Sequence, residues 1–265
     1  MKIIVCVKQV PDSDKVRIDP KTGTLLRGSA AGILNHDDAN ALEEALKIKE
    51  QFPDTHITAL SMGPPQAKNI LQGCLAMGAD EAVLISDKIL TGSDTWVTSG
   101  ILAAAILKLG SFDVIFTGRR SSDGDTAQVG PQIAEKLGIP QITSVKEVEI
   151  TRNGIVRAKR SLQDGYELLE VKTPCLLTAT SELNRPRYMN VIGIYDACEK
   201  EIPVWNAGDM GVDKDAAGLE GSPTNVLLTF APASKGRGVT VQGDTAAEVA
   251  DSLMDMLQAK HGGLF

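Results

Sequence analysis

The chain has 265 residues, 43% of them hydrophobic, and a formal net charge of -7. That length and apolar content suit one large α/β domain, or a domain with an appendage, and give enough material for a core. The acidic balance argues against general binding to nucleic acid or to an acidic membrane, and no apolar run approaches the length of a membrane span.

The four cysteines, Cys6, Cys74, Cys175 and Cys198, are far apart with no C-x-x-C pair. This argues against a zinc or iron–sulfur cage and a disulfide framework, and fits a reducing cytoplasm. His36, His56 and His261 share no metal-ligand spacing. The apolar stretch after Lys2 is too short for a signal-peptide core, so a soluble, unexported protein is expected.

Residues 2–10 carry the near-continuous apolar run of a strand buried on both faces, ending in the loop 8–12. Residues 16–26 alternate around Asp19-Pro20-Lys21-Thr22-Gly23 and predict a hairpin. Asn35-His36-Asp37-Asp38 opens a helix with Ala41, Leu42, Ala45, Leu46 and Ile48 on its apolar face. Capping accounts for Asn35 more readily than a ligand contact does, though both readings stay open. Residues 56–62 predict a strand ending at Met62, then a helix through Ala76. Residues 81–86 predict another, followed by the loop 91–95, which caps a helix over 96–109.

A strand at 112–116 leads into the stretch that holds most of the chemistry. Gly118, Gly124 and Gly130 permit close backbone approach, Ser121, Ser122 and Thr126 offer hydroxyls, and Arg119 and Arg120 offer forked donors for phosphate. Of Asp123 and Asp125, one is expected to cap the following helix and the other to hold a ribose hydroxyl. Val129, Ile133 and Leu137 give that helix an apolar stripe, with Pro131 marking its start or a bend. No common phosphate-loop or dinucleotide fingerprint is present. From the residues alone, a nucleotide site and a well-capped surface turn are equally good readings.

This alternation predicts an α/β fold with a doubly wound, mainly parallel sheet, whose loops after residues 7, 62, 86 and 117 converge on one crevice. Beyond Pro140 the pattern changes to antiparallel hairpins turned at Asn153-Gly154 and Asp164-Gly165, and residues 174–180 return to the main sheet. Tyr188, Val191, Ile192 and Tyr195 share one helical face, and packing on the protein's own core explains them better than a partner anchor does. A boundary is expected between an α/β domain, 1–202, and a C-terminal arm, 203–265. The arm is poor in core residues to Gly221, has a candidate strand at 225–230, and ends in a helix behind the capping box Thr245-Ala246-Ala247-Glu248. Val249, Leu253, Met256 and Leu257 give that helix an apolar face that another subunit is expected to cover.

Several separated motifs resemble the beta (small) subunit of electron transfer flavoproteins. They are Val5-Cys6-Val7-Lys8-Gln9-Val10-Pro11-Asp12, the Asn35 helix start, Leu75-Ala76-Met77-Gly78-Ala79-Asp80, the loop 118–131, and Leu183-Asn184-Arg185-Pro186-Arg187-Tyr188. The resemblance spans nearly the whole chain in the expected order. It implies an adenine-nucleotide-binding subunit whose C-terminal arm wraps a larger alpha subunit carrying a flavin. The family's nucleotide positions fall on Cys6, Asn35, His36, Asp37, Asp38, Met62 and residues 118–133. These include Gly118, Arg119, Arg120, Ser121, Ser122, Asp123, Gly124, Thr126, Ala127, Gln128, Val129, Gly130 and Pro131. Its docking loop falls on about residues 179–201, with Val191 as the projecting anchor beside Arg187, Tyr188 and Ile192. The resemblance thus reverses the preference for packing on the protein's own core.

The family has respiratory members holding a structural AMP and bifurcating members holding a second FAD. In the latter, that FAD takes a hydride from NADH and sends electrons to ferredoxin or flavodoxin and, through the alpha-subunit FAD, to an acyl-CoA or lactate dehydrogenase. The loop Asp123–Pro131 and the helix start at Thr91-Gly92-Ser93-Asp94-Thr95-Trp96 resemble the bifurcating and nitrogen-fixation-linked forms, adding Asp94 and Thr95 to the implied FAD site.

Overall fold

The computed structural model describes residues 1–12, 32–227, 236 and 238–262. In chain order the strands and helices are β1 (Lys2–Cys6), β2 (Gln9–Pro11), β3 (Gly32–Leu34), α1 (His36–Gln51), β4 (His56–Met62), α2 (Lys68–Met77) and β5 (Glu81–Ile85). There follow α3 (Thr95–Leu109), β6 (Val114–Gly118), α4 (Val129–Leu137), β7 (Gln141–Ile150), β8 (Ile155–Leu162), β9 (Gly165–Lys172) and β10 (Cys175–Ala179). Last come α5 (Val191–Glu199), β11 (Val204–Trp205) and α6 (Ala246–His261).

Nine strands form one sheet in the order β11-β5-β4-β1-β6-β10-β7-β8-β9. Pairing is parallel from β11 to β7 and antiparallel across β7, β8 and β9. The doubly wound sheet with antiparallel hairpins is the one expected, and β10 returns between β6 and β7. β1 is apolar at every residue after Lys2 because the sheet is covered on both sides. Ile3 and Val5 point to the face carrying α1 and α2, whereas Ile4 and Cys6 point to the face carrying α3 and α4.

Some local expectations change. The run 2–10 is two strands, because after Cys6 the chain leaves the sheet and Gln9–Pro11 pairs antiparallel with Gly32–Leu34. The hairpin predicted at 16–26 lies outside the described residues. Val204–Trp205 adds to β5, with Leu84 N–H donating to Pro203 C=O and Ser86 N–H to Trp205 C=O at 2.9 and 2.8 Å. The first compact unit therefore runs Met1–Leu228, past the boundary expected at 202. Residues 225–227 of the candidate strand are irregular, and 228–230 lie outside the described residues. In the second unit, Thr229–Phe265, the Thr245 hydroxyl caps α6 by accepting from Glu248 N–H, while the Glu248 carboxylate accepts from Asp244 N–H at 2.9 Å.

Candidate nucleotide site and docking face

The chain runs β1, β4, β5 outward on one side of β1, then crosses through α3 to β6 on the other side. The carboxyl ends of β1 and β6 are thus the switch point, where departing loops part and leave a crevice for a ligand. The loops there are 7–12 and 118–128.

Helix α1 begins directly beneath them. Asp38, in its first turn, accepts Lys8 N–H through Oδ2 at 2.7 Å and Gly118 N–H through Oδ1 at 2.9 Å. One buried carboxylate therefore ties the ends of β1 and β6 together. Burial pushes its pKa up to about 7, against the hydrogen bonds from Asn35, Lys8 and Gly118. Gly118 is required by this packing, since a Cβ there would lie 2.2 Å from Asp38 Oδ1 and 2.9 Å from Asp37 Cβ. Asn35 occupies the N-cap position, but its side chain does not cap the helix. Its Nδ2 donates to Arg120 C=O at 2.9 Å and its Oδ1 accepts from Ser122 N–H at 3.2 Å. The capping role expected for this side chain gives way to a third tie onto the β6 loop.

The loop's charges pair across the crevice. Lys8 Nζ donates to both oxygens of Asp123 at 2.8 and 2.9 Å and to Ser121 Oγ at 3.3 Å. Burial alone would raise the Asp123 carboxyl, but Lys8 and Ser121 hold it below the usual carboxylate range. Arg120 Nη1 lies 2.5 Å from Asp125 Oδ1. Neither carboxylate caps the following helix, as was expected of one of them: Asp123 pairs with Lys8 and Asp125 with Arg120. Lys8 was absent from the sequence-derived site. Its signal was position alone, two residues past the first strand of a parallel sheet.

Arg119 differs from its neighbour. Its N–H donates to Ala179 C=O at 2.8 Å, which anchors the backbone to β10. Its Nε is buried and, among the described residues, has no hydrogen-bond partner; Asp37 Oδ2 is 4.0 Å away. A buried guanidinium nitrogen left without an acceptor is costly unless an anion completes it. Asn35, His36, Asp37, Arg120, Ser122 and Asp125 line a cleft of about 270 Å³ here. A larger hollow of about 540 Å³ lies between the end of α2 and α5. The edge cleft is the better nucleotide candidate despite its size, because it lies at the switch point, is lined by the start of α1, and adjoins the loop that carries the unsatisfied Arg119 nitrogen.

That helix is α4. It begins at Val129, two residues before Pro131, so the proline sits in the first turn, where its missing N–H costs nothing. No side chain caps it. Gly130 packs so closely that a Cβ would come within 2.7 Å of Thr117 Oγ1 and 2.9 Å of Thr178 Cγ2. Asp125 and Ala127 take positive φ values of 50° and 54°, which turn the exposed loop through Gly124 and Thr126 toward this helix start. Gln128 Oε1 accepts from Thr95 Oγ1 at 2.9 Å, so the starts of α3 and α4 meet. Asp94 caps α3 by accepting Val97 N–H at 3.0 Å, and its other oxygen takes Thr224 N–H and Oγ1 at 3.1 and 2.9 Å. Its carboxylate is thus occupied by its own chain. Cys6 is buried at the end of β1, which raises its thiol pKa to about 12, and Met62 ends β4 with Gly63 N–H bonded to Ile85 C=O.

A second feature is the face of α5. Val191 is 83% exposed, Ile192 74% and Tyr195 66%; Tyr188, 96% exposed, lies in the segment before the helix and not, as expected, on its face. The packing of this face on the protein's own core, which the residues by themselves favoured, is overturned. The opposite side of the helix is used instead: a Cβ on Gly193 would lie 2.3 Å from Ala76 C=O, so α5 rests against the end of α2. Arg187, expected at the docking surface, is a clamp. Its Nε and Nη2 donate to Glu43 at 2.8 and 2.9 Å, and Nη1 lies 2.8 Å from Glu50.

Among the described residues no cluster suited to a metal ion is found, and no helix is long and apolar enough to cross a membrane. Residues 22–210 match the family described as electron transfer flavoprotein domain. The caffeyl-CoA reductase-Etf complex subunit CarD of Acetobacterium woodii is 52% identical over 262 residues, covering 98% of this chain and 99% of that protein. The electron transfer flavoprotein subunit beta of Clostridium acetobutylicum is 51% identical over 261 residues, with the same shares covered. The acryloyl-CoA reductase electron transfer subunit gamma of Anaerotignum propionicum is 48% identical over 269 residues, again covering 98% and 99%. A chain with this doubly wound sheet, matched along nearly its full length to these proteins, belongs to the electron transfer flavoprotein family and is its small, beta-type subunit.

Proposed function

We propose that this chain is the beta subunit of a bifurcating electron transfer flavoprotein, holding FAD at the edge between β1 and β6. Bound there, FAD would supply hydride acceptance from NADH and the division of electrons between ferredoxin or flavodoxin and, through the flavin of the alpha subunit, a dehydrogenase. The observation that carries the site is the buried Arg119 Nε, which among the described residues has no hydrogen-bond partner and only Asp37 Oδ2 at 4.0 Å. It offers a charged donor to a phosphate of the nucleotide.

The protein's own residues bind and orient. Asp38 and Asn35 hold the two loops in register, while Arg119 meets the phosphates. Ser121, Ser122, Thr126 and Gln128 line the exposed side of the loop for polar contacts. Lys8 and Arg120, now neutralised by Asp123 and Asp125, are cations that an entering anion can recruit. The exposed Tyr188, Val191 and Ile192 would dock the dehydrogenase, and the similarity to subunits of a caffeyl-CoA reductase complex and an acryloyl-CoA reductase favours a CoA-thioester enzyme over lactate dehydrogenase. The stretch from 229 onward would wrap the alpha subunit.

The second reading is the respiratory type, in which the same edge holds structural AMP; the diphosphate and monophosphate chemistries recruit the same groups. Releasing and identifying the small molecules bound to the native alpha–beta complex separates them. Two FAD per pair supports the proposal, and one FAD with one AMP overturns it in favour of the scaffold role.

A further inference from the structure

The polar face of α1 is buried as thoroughly as its apolar face. Asn40, Glu43 and Glu44 are each under 8% exposed, because the segment 183–187 lies across them. Asn40 Nδ2 donates to Asn184 C=O and Oδ1 at 2.8 and 3.1 Å, and Asn184 Nδ2 returns bonds to Asn40 C=O and the Glu44 carboxylate at 3.0 and 2.8 Å. Glu43 takes three donors from Arg187: the main-chain N–H at 3.0 Å and the two arms of the guanidinium fork. This segment leads, three residues on, into α5 with its exposed apolar face. The first turn of the same helix carries Asn35 and Asp38, which hold the loops of the nucleotide edge. All five of these side chains, from Asn35 to Glu44, lie within three turns.

We infer that α1 is a strut shared by the two sites: Glu43 and Asn40 are positioning residues that fix where α5 is presented, and nucleotide at the sheet edge steadies α5 through them. The inference rests on the reading of the edge as a nucleotide site. Its physical content is one cooperative unit. Loops 7–12 and 118–128, helix α1 and segment 183–199 share their hydrogen bonds, so a ligand that binds the closed form of the loops raises the cost of opening the whole. Glu43 is the critical link because its buried carboxylate accepts three donors from Arg187, the main-chain N–H and two arms of the fork.

The test is amide hydrogen exchange on the purified alpha–beta complex, comparing AMP- or FAD-loaded protein with nucleotide-stripped protein. Stripping is expected to speed exchange in 118–128 and, by roughly tenfold, in 183–199, the scale of one lost charge-assisted contact. In Glu43→Gln, exchange in 183–199 should be fast with or without nucleotide, while nucleotide content stays at the wild-type level. A merely structural role would speed exchange equally but leave the nucleotide dependence intact. Arg187→Lys, which keeps one charge and loses the fork, provides the same readout if Glu43→Gln does not fold. If 118–128 responds to nucleotide and 183–199 does not, the strut is refuted and the site stands. If neither responds, both fall.

Discussion

Replacing Asp38 with asparagine removes the one buried carboxylate that ties β1 to β6, and its signature should be a change in how stability depends on pH. The native carboxyl is raised to about 7 from an ordinary 3.8, chiefly by burial. Between those values the folded chain keeps a proton that the unfolded chain has lost, so stability falls as pH rises through this window and is level above it. A gap of about three units at about 1.4 kcal/mol each comes to about 4 kcal/mol in full, of which about 2.5 kcal/mol falls between about pH 5 and about pH 7.5. Denaturant unfolding of the subunit pair at those two pH values, wild type beside Asp38→Asn at matched salt, reads the difference directly, because contributions from other groups cancel. The variant should lose less stability on going to the higher pH by an amount of that order. An identical pH dependence in the two proteins would refute the raised carboxyl.

Gly118→Ala forces a methyl to within 2.2 Å of Asp38 Oδ1, so it should cost about 1–3 kcal/mol of stability and reduce nucleotide content; an unchanged melting temperature would contradict the close packing. Arg119→Ala should weaken nucleotide retention by about 1.5–3 kcal/mol, seen as cofactor lost on dialysis, and full retention would remove Arg119 from the site. Val191→Asp should leave cofactor content intact while slowing electron transfer to the dehydrogenase, since that side chain is 83% exposed and touches little of its own chain. Gly193→Ala should shift α5 off the end of α2, because its methyl would meet the Ala76 carbonyl, and so impair docking without touching the nucleotide edge.

Much of this protein was legible before folding. The apolar runs at 56–62 and 174–180 and the Asn-Gly and Asp-Gly turns are local signals, set by period and turn chemistry, and they gave strands β4, β10, β8 and β9 nearly as they stand. The loop at 118–131 showed residue types suited to phosphate, but they read equally well as a capped surface turn. The partners inside that loop could not be read in the same way. Whether Asp123 caps a helix or meets Lys8 depends on the neighbouring strand order, which puts residues 115 positions apart within 2.8 Å. The same holds for Arg187, whose sequence neighbours are exposed and whose actual partner, Glu43, is 144 positions away on α1.

The exposed face of α5 marks the same divide. A stripe of Val191, Ile192 and Tyr195 at helical spacing fixes that one side of a helix is apolar, but an amphipathic pattern carries no information about which surface it meets. Periodicity by itself thus determined the elements, their order and the residue types gathered at the sheet edge. The tertiary structure alone decided which charges neutralise one another and which apolar face is left for a partner, because those outcomes depend on distances that close only when the sheet is assembled.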